Sequence, residues 1–319
     1  MSAPRVLIVK FSAIGDCVMA APALSAFRRA EPDALMVWAA DPRCSAVIDR
    51  NRLVNEVYDI PRAAWKRDGV GWMGQIRHYL ALRRYGFDFG FDLQGHGKTA
   101  ICLRLSGAKR RIAGYAIDPV ARVLNPLAPG NPDGTHRVLR NRDVLAGVLN
   151  LDPDLSPIMP SLAAERETVR QRFGSGFVSI HVGAGATWKQ WPSDRWAAVA
   201  RHLLAQGRKV LFLGGPGERA PEVEGAMDAC EKLSLAESVA AVAESEFHLA
   251  ADTGSGHMAA AYGVPVLSIF GKTKPELYRP YTDRGIVLKA GERTEDVSVE
   301  SVLAEIPRLE AWSRCPSAS

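Results

Sequence analysis

Short apolar runs recur along the chain, each followed by a turn and then by a longer helical stretch. Val6-Leu7-Ile8-Val9 is continuously apolar, the mark of a strand covered on both faces. Residues 18–30 read as a helix, with Pro22 in its first turns. Residues 35–39 and 53–60 read as strands, 72–84 as helix, 87–93 as strand and 99–105 as helix. Prolines then cluster, at Pro126, Pro129 and Pro132 and again at Pro153, Pro157 and Pro160, with a helix over about 136–150 between the clusters. Beyond them the alternation restarts. Residues 177–182 are a strand, Ser193 caps a helix to Gln206 that Gly207 ends, and 209–213 are a strand. Gly214-Gly215-Pro216-Gly217 is a turn before another helix. Residues 247–251, 258–262 and 264–270 follow as strand, helix and strand. Ser298 caps a last amphipathic helix to about Trp312, bent at Pro307, and a disordered tail is expected from Ser313 onward. The pattern predicts the α/β class in two βαβ domains of similar size, 1–155 and 156–319, the last helix able to pack back on the first domain. Open parallel sheets bind ligands at the carboxyl ends of their strands, so two such domains facing each other would frame a cleft.

Composition narrows the class. The 319 residues are 47% hydrophobic and 24% charged, as in a globular protein of two domains. No apolar run approaches the roughly 20 residues of a membrane span, and the stretch before Lys10 is too short for a signal peptide. Five cysteines, Cys17, Cys44, Cys102, Cys230 and Cys315, are dispersed without a CxxC. That predicts a reducing cytoplasm and argues against a disulfide frame or a zinc site. Charge is uneven. Residues 1–150 hold 22 Lys and Arg against 13 Asp and Glu, a balance of +9; residues 151–319 hold 18 against 22, a balance of −4. The basic half points to an anionic partner: nucleic acid, an anionic membrane surface or an acidic small acceptor.

Candidate chemistry sits where strands end. Phe11-Ser12-Ala13-Ile14-Gly15-Asp16 follows the first strand, and Asp16 is either a helix N-cap or a carboxylate able to take a proton from an attacking hydroxyl. Gly97-Lys98-Thr99 resembles the end of a P-loop, but Asp92 occupies the place of its first glycine, where a carboxylate would repel phosphate; Lys98 remains an anion contact. In the stretch 181–192 small residues permit close approach, and Lys189 could reach a diphosphate. In Asp252-Thr253-Gly254-Ser255-Gly256-His257 two glycines and a helix start offer phosphate an N-terminal dipole; the same residues also suit an ordinary βα turn capped by Asp252 or Thr253. Gly214 to Arg219 is either a nucleotide-pocket edge or a plain turn. Asp152-Pro153-Asp154 matches DxD but lies in the proline-rich linker, and nothing else resembles a metal site. Two basic clusters, Arg62, Lys66 and Arg67 and then Arg137, Arg140 and Arg142, lack the interleaved aromatics of single-stranded nucleic-acid binders. They favour a compact anionic acceptor, or the membrane that carries it.

Taken together, VLIVKFSAIGDCVMAAPAL at the start, Asp92-Leu93-Gln94-Gly95 with Lys98, His136 to Arg142, Lys189-Gln190-Trp191-Pro192, and Asp252 to His257 resemble glycosyltransferase family 9, the ADP-heptose:lipopolysaccharide heptosyltransferases, in order and spacing. The opening is most like the heptosyltransferase I version. The resemblance implies a GT-B architecture of two Rossmann-like domains, an acceptor-binding one and then a nucleotide-sugar-binding one. It implies an inverting, metal-independent transfer from ADP-heptose to a Kdo sugar of Kdo-lipid A, with no cofactor and no nucleic acid. The enzyme would be cytoplasmic, in transient peripheral contact with the inner membrane that carries the acceptor. Asp16 matches the general base. Thr187, Lys189, Gly214, Asp252, Thr253, Gly254 and His257 fall at donor positions, with Lys189 also meeting the leaving group. Gly15, Arg62, Lys98, His136 and Arg142 fall at acceptor positions. Two departures stand out: Gly271-Lys272-Thr273 where Gly-Pro-Thr is frequent, and Ser255 where a bulkier apolar residue is usual. Within the family, heptosyltransferase II or a transferase of another sugar is the nearest rival. A dehydrogenase-like module would need a GxGxxG that the chain lacks, and a nucleic-acid binder would show salt-sensitive binding to generic duplex.

Overall fold

The computed structural model describes residues 3–128 and 134–315. They form two compact units, Met1–Pro160 and Ser161–Ser319.

The first unit contains β1 (Arg5–Val9), α1 (Ile14–Ala30), β2 (Leu35–Ala40), β3 (Glu56–Asp59), α2 (Arg62–Arg67), α3 (Trp72–Leu80), β4 (Phe89–Asp92), α4 (Gly97–Leu105), β5 (Arg110–Ala113), α5 (Pro119–Leu124) and α6 (Arg137–Ala146). Its five strands are parallel in the order β3-β2-β1-β4-β5. Right-handed crossovers put α1 on one face, where α6 packs against it, and α3, α4 and α5 together on the other. The core is the apolar run of β1 with its neighbours: Leu7, Val9, Phe11, Val37, Phe87 and Leu103 are fully buried. The order of the strands reverses between β1 and β4, so the loops after these two strands flank the switch point at which such sheets take ligands.

The second unit contains α7 (Ala163–Phe173), β6 (Phe177–His181), α8 (Ser193–Ala205), β7 (Lys209–Leu213), β8 (Met227–Asp228), α9 (Leu235–Glu244), β9 (His248–Ala251), α10 (Gly254–Ala261), β10 (Val266–Ile269), α11 (Pro275–Tyr278), β11 (Gly285–Leu288) and α12 (Val299–Arg314). The strands are again all parallel, ordered β11-β10-β9-β6-β7-β8, and here the switch lies between β6 and β9. Trp191 and Trp196 meet edge to face at 4.6 Å in this core. Trp191 Nε1 donates to Val297 O at 3.0 Å, and α12 packs on α8 and β11.

The proline-rich linker is fastened to the first unit. Arg29 pairs with Asp152 and Asp154, Ile158 N donates to Ser25 Oγ at 2.7 Å, and Arg52 donates to Met159 O. The DxD match is therefore an anchor for Arg29.

Several expectations need correction. Pro192, in extended conformation, is the N-cap of α8; Ser193 is its first helical residue and supplies no side-chain cap. No helix follows the Gly214–Gly217 turn. Glu218 folds back to accept from Gly215 N at 2.6 Å and Glu231 accepts from Gly217 N at 2.7 Å, and the next element is the two-residue strand β8. The third strand is shorter than 53–60, because the backbone N–H groups of Leu53 and Val54 turn back to Asp49 O. The last helix is capped by Ser298, whose Oγ accepts from Ser301 N, and it runs on to Arg314, past the expected start of the tail; residues 316–319 lie outside the described residues, as do Pro129 and Pro132. Asp16 is not an N-cap: Ala13 holds that position and Asp16 is the third helical residue.

Candidate active site

In the first unit the loop after β1 and the loop after β4 hold each other. Gln94 Oε1 accepts from Phe11 N at 2.8 Å, and Lys10 Nζ donates to Leu93 O at 2.9 Å. Gly95 adopts φ +74°, and a Cβ there would lie 2.6 Å from Tyr115 O, so the loop closes over Tyr115 only with glycine. Asp92, fully buried, accepts from Gln94 N, Gly95 N and Thr99 Oγ1 at 2.9 Å each. What the P-loop comparison excluded as a phosphate cradle is a loop folded around its own carboxylate.

Burial lifts the Asp92 carboxyl to about 6, against the pull of those bonds and of Lys10. The folded state then binds this proton more tightly than the unfolded chain, whose carboxyl titrates near 3.9. Stability should accordingly fall as pH rises from about 4 to about 6. Urea midpoints measured across that range should show the decline in the wild type and its loss in Asp92→Asn, which keeps the shape and never ionises.

Asp16 stands at the start of α1 with its side chain 38% exposed. One carboxylate oxygen, Oδ2, accepts from Ala13 N at 3.3 Å and lies 3.8 Å from Lys10 Nζ. Oδ1 has no hydrogen bond among the described residues, so a reachable oxygen is left for a substrate proton. Lys10 is buried, yet its ammonium stands above its ordinary pKa: burial opposes the charge, and Asp16 leads the groups that outweigh it. Gly15, buried, precedes Asp16 in the same turn.

Lys98 is the second residue of α4 and Arg62 the first of α2, so both also stand at carboxyl ends of strands, after β4 and β3. Burial and then the charge of Arg62 push Lys98 below its usual pKa. Burial, then Lys98, do the same to His96. Neither Lys98 nor Arg62 has an ion-pair partner among the described residues. Two cations held near each other favour an incoming anion.

The residues of α6 that the resemblance assigned to the acceptor are placed differently. His136 is buried and serves as N-cap, its Nδ1 accepting from Val138 N at 3.3 Å. Arg142 pairs with Asp143 at 2.6 Å. It is Arg137 and Arg140 that stack over Tyr115, at 4.6 and 4.5 Å, and Tyr115 Oη donates to Leu93 O at 3.2 Å. These two arginines are thus tied to the β4 loop, whereas Arg142 is engaged by its own neighbour.

In the second unit the loops after β6 and β9 meet through Lys189 and Asp252, whose Nζ and Oδ2 are 2.6 Å apart. Thr187 and Lys189 form a single 3-10 turn, and Lys189 lies 5.2 Å from the Trp188 ring centre. Gly254 opens α10, and Thr253 is its N-cap, with Oγ1 accepting from Ser255 N at 3.3 Å. The helix start is also held from below. Ser255 Oγ meets Thr253 Oγ1 at 2.8 Å and His248 Nε2 at 2.9 Å, His248 Nδ1 meets Ser179 Oγ at 2.7 Å, and Ser179 meets Ser245 at 3.0 Å. Burial drives His248 down to about 3, so the ring is neutral. A polar Ser255 is the partner this buried imidazole requires, which accounts for the departure at that position. His257 lies buried one turn into α10.

Gly214 ends β7 against Cys230 and Glu218, and at Gly183 a Cβ would fall within 1.8 Å of the Glu218 carboxylate. His181 approaches Glu218 at 3.4 Å and holds its carboxyl below the usual range. A cavity of about 600 Å³ is lined by Thr187, Trp188, Gln190, Lys272, Thr273 and Arg293, and one of about 400 Å³ by Gly183, Thr187, Trp191, Glu218 and Arg219 among others. Both are of ligand size, and Lys272, the other departure, adds a cation to the larger. Among the described residues no cluster of three or more His, Cys, Asp or Glu could hold a metal ion, and no helix is long and apolar enough to cross a membrane.

Sequence reasoning missed Lys10 and Tyr115, and it named Gln94 and Glu218 within their motifs without the contacts they make. A lysine in an otherwise apolar strand exit was the one available signal, for Lys10.

Comparison with known proteins bears on these loops. Residues 75–305 match the family model for glycosyltransferase family 9 (heptosyltransferase). The chain is 30% identical over 288 residues to lipopolysaccharide heptosyltransferase 1 of Pseudomonas aeruginosa, covering 85% of this chain and 79% of that protein. Among solved structures it is similar to the glycosyl transferase family 9 protein of Veillonella parvula, with a TM-score of 0.83, 18% identity and coverage of 98% and 99% of the two chains. It is similar also to Escherichia coli heptosyltransferase WaaC with ADP-2-deoxy-2-fluoro heptose, with a TM-score of 0.75, 21% identity and coverage of 95% and 99%. The two parallel sheets with their flanking helices are the GT-B fold, and the chain belongs to glycosyltransferase family 9, the heptosyltransferases.

Proposed function

We propose that this enzyme moves a heptose from ADP-heptose to a Kdo sugar of the lipopolysaccharide inner core, as a heptosyltransferase I, with inversion and without a metal. The observation that carries the reading is Asp16: a half-exposed carboxylate at a strand-to-helix turn, one oxygen held by Ala13 N and Lys10 and the other available. In the proposed step Oδ1 of Asp16 takes the proton of a Kdo hydroxyl as that oxygen attacks the anomeric carbon. The bond to the diphosphate breaks on the opposite face, and ADP leaves with the electron pair. Lys189 and the N–H groups at the start of α10 meet the charge that develops there, which is the work a metal would otherwise do. Lys98 and Arg62, whose like charges oppose each other, are matched to the carboxylates of an acidic sugar. Support for the donor comes from the relative solved with an ADP-heptose analogue, and support for the acceptor from the basic balance of the first 150 residues.

The test is ADP release from ADP-heptose with deacylated Kdo-lipid A, run beside the same acceptor already carrying one heptose. Release with the first acceptor and not the second is expected. The reverse would make the enzyme a later heptosyltransferase of the core, and release with neither would overturn the reading.

A further inference from the structure

The upper rim of the first unit carries apolar side chains that are left exposed among the described residues. Trp72 and Met73, the first two residues of α3, are 71% and 59% exposed, and Ile117 and Val123, before and within α5, are 57% and 83% exposed. All belong to the same helical layer, in which α3 packs on α4 and α4 on α5. That layer's position against the strands is fixed at several points. His78 Nε2 lies 2.8 Å from Asp59 O at the carboxyl end of β3, while Tyr85, further on, has its carbonyl against Arg5 at the amino end of β1. The chain therefore descends from Trp72 towards Tyr85. At 1.5 Å per residue the first turn of α3 stands about 9 Å further along the helix axis than His78, beyond the carboxyl edge of the sheet. On the other flank Asp118, the N-cap of α5, accepts from Gly97 N at 2.7 Å, which ties Ile117 and the start of α5 to the turn that carries Lys98.

Basic side chains are interleaved with these residues. Lys66, Arg77 and Arg122 are exposed and have no ion pair among the described residues, and Lys98 stands on α4, the helix packed between α3 and α5. Exposed Trp and Met at a glycine-flanked helix start, on a unit whose exposed cations Lys66, Arg77 and Arg122 have no ion pair among the described residues, match the chemistry of a membrane interface: the indole seats at headgroup depth and the cations meet anionic headgroups. A second copy of the chain fits poorly, since a symmetric contact would set these cations against themselves.

We propose that this rim, with Trp72 and Met73 on one side of α4 and Ile117 and Val123 on the other, docks the enzyme on an anionic lipid bilayer and presents the Lys98 and Arg62 cations at headgroup level. The proposal deepens the reading of a lipid-borne acidic acceptor and rests on it for its purpose, though not for its test.

The test is sedimentation of the full-length protein with vesicles of 3:7 phosphatidylglycerol to phosphatidylethanolamine, and with neutral phosphatidylcholine, without any acceptor. The wild type is expected to bind the anionic vesicles at least about 10-fold better than the neutral ones, more weakly as salt rises. The double variants W72S/M73S and I117S/V123S should each lose about 10-fold in binding while retaining wild-type transfer to the deacylated acceptor in solution. Wild-type binding by both variants would overturn the proposal, as would failure of the wild type to bind anionic vesicles, or a dimer that W72S/M73S dissociates. Vesicle binding without transfer to the deacylated acceptor would instead overturn the functional reading and leave the docking surface standing.

Discussion

Asp16→Asn is expected to lower the rate of heptose transfer by about 10²–10⁴-fold, the range that a positioned general base supplies. The amide keeps the size of the side chain and can still accept from Ala13 N, the bond that ties the first turn of α1. It cannot take the substrate proton. The change should therefore fall on kcat, with the KM for ADP-heptose nearly unchanged, because the proposed donor positions lie on the second unit. Thermal unfolding would serve as the control: buried Lys10 keeps its bond to Leu93 O but loses the leading charge that favours its ammonium, at a cost of about 1–3 kcal/mol. Turnover within a factor of a few of the wild type would remove Asp16 from the chemistry.

Lys189→Ala should cost about 10²–10³-fold in kcat, the usual loss when one group that stabilises developing charge is removed. Here a second effect is expected, and the structure allows the two to be separated. Asp252 is 9% exposed and its Oδ2 lies 2.6 Å from Lys189 Nζ. Removing the lysine leaves that carboxylate poorly solvated and unpaired, at a cost of about 1–3 kcal/mol. Adding Asp252→Asn should restore most of the stability and none of the rate. If the double variant recovered transfer as well, the ammonium would be shown to act on Asp252 and not on the leaving group.

The sequence carried the main strands and helices because buried parallel strands are nearly all apolar. β1, β2, β6 and β7 read directly, and the glycine and proline punctuation marked the loops that close them. What stayed hidden had little of that contrast. Along α7 only Val169 is buried, so there is no apolar stripe to see. β5 is an edge strand beginning with two arginines. α5 was legible in principle, since Asp118 caps it and Pro119 opens it, but its six residues include two exposed valines and no helical period. The candidate site divided in the same way. Asp16, Lys98, Lys189 and the Asp252 to Gly254 turn were found because each follows a strand, and in a parallel sheet every strand exit lies on the same edge. Lys10, Gln94 and Tyr115 act through partners more than 20 residues away, and no local spacing encodes such a pairing. The same limit explains Arg142. The helix bearing it was foreseen, but which of its arginines turns to Tyr115 is decided by the packing of α6 on α1.

The run of hydroxyls and imidazole from Ser245 through His248 to Thr253 has one more consequence. It moors the first turn of α10 to the middle of the sheet by side chains that are all uncharged, and so fixes the N–H groups to which the proposed mechanism assigns the leaving diphosphate. Such a landing place is a wall and not a hinge. On the proposed mechanism the diphosphate would meet dipoles already aimed, with little reorganisation left as its bond to the sugar breaks.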